Sequence, residues 1–145
     1  MRSLFIICAL LACSPTSAFA DLDDARFHGH TEDFRYDVWM RFKPAPPTPH
    51  YPDAPKYWTV FDTLRVIING REINAPKAAL EGLFWPHPSR VPYPGPDNTL
   101  RVPVSGGSGE YSYEAVLVFS KSRFLAVERR DHASSKWKVI KYGAR

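Results

Sequence analysis

The sequence predicts an all-β fold, a small antiparallel sandwich or partly closed barrel, on three observations. Aromatic residues make up 14% of the chain and, with the β-branched residues, gather in short runs between turn-forming positions. Several runs alternate apolar and polar side chains with a period of two, the pattern of a strand buried on one face. Two proline-dense tracts and one Asn-Gly dipeptide interrupt those runs where a sheet would have to turn.

The first twenty residues, MRSLFIICALLACSPTSAFA, have the three parts of a secretory signal peptide. Arg2 supplies the positive start, Leu4 to Ala12 the apolar core, and Ala18-Phe19-Ala20 the small-residue cleavage site. That core is too short to span a bilayer as a helix. Cleavage after Ala20 leaves a mature chain from Asp21 to Arg145, exported to a periplasm or medium. The alternative is a lipid anchor at Cys13, since Leu10-Leu11-Ala12-Cys13 resembles a bacterial lipoprotein signal. Both cysteines, Cys8 and Cys13, precede Ala20, so the mature form has no disulfide, thiol nucleophile or thiolate metal site. The formal charge of +4 falls to +3 with the loss of Arg2, too weak a basicity to indicate nucleic acid. No later run is long and apolar enough for a membrane-spanning helix.

Residues 21–33 read as a polar N-terminal arm, and 34–145 as a single β-rich domain. In the first strand Phe34, Tyr36, Val38, Met40 and Phe42 share one face, with Arg35, Asp37, Arg41 and Lys43 opposite. Pro44 to Pro55 holds six prolines in twelve residues and reads as an extended connection. Leu64 to Ala75 reads as a hairpin, because Asn69-Gly70 suits the two positive-φ positions of a type I′ turn. Pro76 then opens a short helix, KAALEGL. A second connection, Pro86 to Pro96, holds five prolines in eleven residues. Thr99 to Ser105 is a strand that Pro103 places at a sheet edge. Tyr111 to Ser120, RFLAVERR and KWKVIKY complete a C-terminal meander. Apolar residues in both phases of these strands point to two packed layers.

The stretch Ser105-Gly-Gly-Ser-Gly-Glu-Tyr111 is the candidate for function. It is no phosphate cradle, because Ser112 stands where a third glycine would be needed and no helix follows. It is no nucleophile elbow either, since the strand follows the serine instead of preceding it. A hairpin loop remains, carrying the hydroxyls of Ser108 and Tyr111 and the carboxylate of Glu110. Loops on rigid scaffolds are where binding residues concentrate. Ser108-Gly109-Glu110-Tyr111 resembles the Ser-Gly-x-Tyr loop of bacterial periplasmic lysozyme inhibitors. That resemblance covers four residues. It implies a β-rich exported inhibitor whose Ser and Tyr hydroxyls hydrogen-bond to the catalytic carboxylates of a lysozyme.

Other constellations have plainer readings. His28-Gly-His30-Thr-Glu32 would place two imidazoles and a carboxylate on one face of an extended chain, a weak metal-site candidate in a polar arm. The scattered carboxylates fit solvated strand faces with cross-strand ion pairs. Tyr57-Trp58 and Phe84-Trp85, flanking the proline tracts, could form a second contact surface. No cofactor motif is present. The expectation is an exported, non-enzymatic binding module whose partner is a protein or envelope component, a lysozyme being the one the resemblance implies. The alternative is a structural or accessory cell-envelope protein. N-terminal sequencing and intact mass of the exported protein test the first of these readings. The expected N-terminus is Asp21, and an acylated Cys13 would replace the free form by a tethered one.

Overall fold

The computed structural model describes residues 24–45 and 58–143. The first of two antiparallel sheets comprises β1 (Ala25–His30), β2 (Arg35–Ala45), β3 (Trp58–Ile68) and β4 (Arg71–Ile73), in that spatial order. A short helix, α1 (Lys77–Glu81), leads to the second sheet. Its strands are β5 (His87–Pro88), β6 (Tyr93–Gly95), β7 (Thr99–Gly106), β8 (Tyr113–Phe119), β9 (Phe124–Asp131) and β10 (Lys138–Lys141). They lie in the order β10-β9-β8-β7, with β5 and β6 both on the outer side of β7. The fold is therefore a small β-sandwich with a C-terminal meander, and the described sheets do not close into a barrel.

Period-two alternation sets which residues meet between the sheets. Val38, Met40, Val66 and Ile68 of the first sheet join Leu100, Val102, Leu117 and Phe119 of the second in one core, each essentially inaccessible to water. The second apolar phase of the meander forms a smaller cluster of Val116, Val118 and Ala126 on the other face of the six-stranded sheet. Arg101 and Glu128 pair across that same face through two bonds of 2.7 and 2.9 Å.

The Asn69-Gly70 hairpin forms as expected, with φ of 51° and 79° joining β3 to β4. β7 is not at a sheet edge as expected, since β8 lies on one side and β5 and β6 on the other, but Pro103 sits where its missing N–H costs no ladder bond on that outer side. There β5 pairs with Val104 and Ser105, β6 pairs with Thr99 to Arg101, and Pro103 falls in the gap between them. The tract from Pro86 to Pro96 thus supplies two short edge strands as well as a connection. The expected signal peptide with Cys13, most of the first proline tract, and Tyr57 lie outside the described residues.

The reading of the N-terminal arm is also corrected. Residues 25–30 are not part of an arm but form β1, paired along its whole length with β2. Ala25, Phe27 and Gly29 lie opposite Met40, Val38 and Tyr36, so the buried face of β1 carries only one large side chain. That weak apolar signal hid the strand. On the solvent side, Arg26 donates two hydrogen bonds to Asp37, of 2.8 and 3.3 Å. This bond, more than the nearby positive charges, holds the Asp37 carboxyl below its ordinary range, against the opposing effect of partial burial.

A carboxyl lowered on folding adds stability above its unfolded pKa, and that contribution vanishes as pH falls through the folded value. Asp37→Asn should therefore lower the urea midpoint near neutrality. It should change the midpoint little once the pH is well below about 3.9, the ordinary aspartate value. An equal loss at both pH values would mean that charge pairing does not hold β1 in place.

Candidate functional site

The site is built where the second sheet ends and β7 turns into β8. Gly106 and Tyr113 form the last pair of that ladder, and residues 107–112 are the loop. Within it, the Tyr111 N–H bonds to the Ser108 carbonyl at 3.1 Å and the Ser112 N–H to the Gly109 carbonyl at 3.2 Å. These bonds close a single 3₁₀ turn, Gly109–Tyr111. The Ser112 carbonyl accepts the His132 N–H at 2.8 Å, tying the loop to the β9–β10 connection.

Two of its glycines answer to packing. A Cβ on Gly106 would run into the Tyr113 hydroxyl and the carbonyls of Phe84 and Trp85. Gly107 has φ of 72°, and a Cβ there would meet the Tyr111 carbonyl. These two glycines are thus required by the base of the loop, while Ser108, Glu110 and Tyr111 are exposed, Tyr111 to 48%.

Beneath the loop lies an aromatic column. Trp58 stacks on Phe84 at 5.2 Å, and Phe84 meets Tyr113 edge to face at 5.6 Å. Tyr113 donates its hydroxyl to the Phe84 carbonyl at 3.0 Å. Burial pushes its phenol well above the ordinary tyrosine range, with Arg129 pulling the other way. Arg129 lies over the Tyr113 ring at 4.5 Å, donates to the Gly82 carbonyl at 2.7 Å and pairs with Asp131 at 2.6 Å. Trp85 adopts φ of 50°, unusual for an aromatic residue, and its N–H bonds to the Thr59 carbonyl of β3 at 2.8 Å.

The sequence-predicted residues therefore divide. Ser108, Glu110 and Tyr111 stand together on the loop. Trp58 is only 5% exposed and Phe84 packs against the core, so neither offers an open aromatic face. His28 and His30 lie on the solvent face of β1, with Asp37, which pairs with Arg26, opposite His28 on β2. Glu32 lies in the turn beyond them, and among the described residues no three His, Cys, Asp or Glu side chains converge.

Sequence reasoning missed the two grooves beside the loop. One, of about 590 Å³, is lined by His87, Ser105, Ser112, Glu114, Arg130 and His132. The other, of about 230 Å³, lies between Phe84, Glu110, Tyr111, Arg129 and Asp131. Register alone brings the first set together: His87 is opposite Ser105, Ser105 opposite Glu114, and Glu114 opposite Arg130. Arg130 pairs with Glu114 and lies over the Trp137 ring at 5.2 Å. No side-chain hydrogen bond joins Ser105 to His87 among the described residues, and arginines engage two of the three carboxylates of the grooves, Glu114 and Asp131, with Glu110 the third. The arrangement presents fixed donors and acceptors suited to recognition.

Gly107→Ala should cost about 1–3 kcal/mol in thermal or urea unfolding, through strain and the lost approach of Tyr111. Ser108→Ala should stay within about 0.5 kcal/mol of the parent. Equal effects would mean that the loop is not held from its base. No protein-family model matches the chain, and neither the curated proteins nor the solved structures contain a match to it.

Proposed function

We propose that this chain is an exported binding module whose contact element is the loop 107–112, with a lysozyme as the partner that the Ser-Gly-x-Tyr resemblance implies. The observation that carries the reading is the division of labour within the loop. Gly106 and Gly107 are committed to the base, Gly109 has the positive φ of the exposed turn, and three chemically distinct side chains, Ser108, Glu110 and Tyr111, face outward. A contact loop held in shape loses little conformational entropy on binding, which favours affinity. A phenol and a hydroxyl three residues apart can also reach into a cleft and share its carboxylates as hydrogen-bond donors. The envelope-accessory alternative draws no support from Trp58, whose ring is enclosed.

The test is residual muramidase activity of several lysozyme types incubated with the purified protein. The Ser108→Ala/Tyr111→Ala double variant is run beside it, with circular dichroism confirming its fold. The parent should inhibit at least one lysozyme type, and the double variant should be weaker by about tenfold or more. Failure of the parent to inhibit any type would remove lysozyme as the partner. Inhibition that survives in the folded double variant would remove the loop as the contact.

A further inference from the structure

The solvent face of the first sheet carries a second feature, remote from the loop and independent of the reading above. At the end where β1 turns into β2 and β3 into β4, an open hollow of about 790 Å³ is lined by His28, His30, Arg35, Asp37, Ile67 and Asn69. Strand register explains the grouping. His28 and His30 are two residues apart on β1 and share its outer face, with Asp37 and Arg35 opposite them on β2.

The charges of this face follow a rule with one exception. Arg26 pairs with Asp37, Arg41 with Asp24, Lys43 with Asp62 and Arg65 with Glu72. Arg35 alone among the cations of β1, β2 and β3 has no ion pair, and its guanidinium makes no hydrogen bond to the described residues. Its backbone is nevertheless fixed. The Arg35 N–H donates to Asn69 Oδ1 at 2.9 Å, and the Asn69 N–H returns a bond to the Arg35 carbonyl at 2.9 Å. The type I′ turn therefore anchors the root of an arginine whose head has no partner. The one carboxylate lining the hollow, Asp37, is already engaged by Arg26. Glu32 and Asp33, in the exposed β1–β2 turn, do not line it.

We propose that this hollow binds an oxyanion, with the phosphate group as its chemical class, held by the Arg35 fork and by N–H groups of His28 and His30. A guanidinium presents paired donors that match two oxygens of a tetrahedral anion, and each imidazole adds at least one donor. Ile67 gives the hollow an apolar side on which the uncharged body of a phosphate ester would rest. The same chemistry occurs in soluble phosphate esters and in phospholipid headgroups.

The experiment follows the imidazole Cε1–H resonances of the full chain by NMR as inorganic phosphate is added at constant pH and ionic strength. Arg35→Gln is compared with Arg71→Gln, an exposed arginine of β4 that does not line the hollow. Sedimentation with phosphatidylglycerol vesicles, against phosphatidylcholine vesicles, forms the second arm. Saturable shifts of His28 and His30 that weaken about tenfold in Arg35→Gln and persist in Arg71→Gln are expected. Vesicle binding with the same dependence on Arg35 would identify a headgroup as the source, and phosphate shifts without vesicle binding would identify a soluble ester. Absence of both, or equal weakening in the two variants, would overturn the proposal.

Discussion

The two sheets depend on one short segment, residues 82–92, which is bonded to both. From the first sheet, Thr59 accepts the Trp85 N–H, and Tyr36 donates its hydroxyl to the Pro92 carbonyl at 3.2 Å. From the second, Tyr113 donates to Phe84 and Arg129 to Gly82. The Phe84 ring lies between Trp58 of β3 and Tyr113 of β8. Aromatic pairs of this kind add about 0.5–1.5 kcal/mol each beyond the burial of their surface. The hydrogen bond at the centre of the column survives any ordinary pH, because burial keeps the Tyr113 phenol protonated. The mutual position of the sheets is therefore set by polar and aromatic contacts of one connection, with the interior of Val, Leu, Ile and Phe filling the space it defines.

The candidate loop inherits its shape from this arrangement. Gly106 lies directly against the Phe84 and Trp85 carbonyls, so the end of β7 approaches the connection as closely as backbone allows. Residues 107–112 then leave a fixed platform, and the bond from His132 to Ser112 braces the other side. Gly106 and Gly107 mark close packing at the base of the loop, and the exposed chemistry is left to Ser108, Glu110 and Tyr111. The left-handed backbone of Trp85, at a cost of order 1–3 kcal/mol, is maintained by the same crowding.

Much of the fold was legible from period and punctuation. The alternation in β2, the Asn69-Gly70 turn and the meander all follow from local chemistry that the structure retains. What escaped depended on partners distant in sequence. β1 has one large inward residue, Phe27, and is a strand because β2 offers it a complementary edge. Trp58 resembled a surface aromatic because it follows a proline tract, and it is buried because Phe84 meets it from twenty-six positions away. The row of His87, Ser105, Glu114 and Arg130 spans four strands and has no sequence spacing to betray it. The loop itself could be singled out, since glycine, serine and tyrosine in that density are unusual between strands. The grooves beside it could not.

The rims of the six-stranded sheet have a consequence for how the molecule behaves among copies of itself. On one side, Pro88 of β5 and Pro94 of β6 withhold N–H groups that another chain could use to extend the ladder. On the other, β10 is only four residues long and brackets its exposed Val139 and Ile140 with Lys138 and Lys141. Two such strands meeting head to tail would set lysine against lysine. The sheet is thus capped at both margins against templated growth, by missing donors at one and by charge at the other. A domain built almost wholly of strands spends time during folding with those strands unpaired, and these margins are where that exposure would otherwise propagate into fibres.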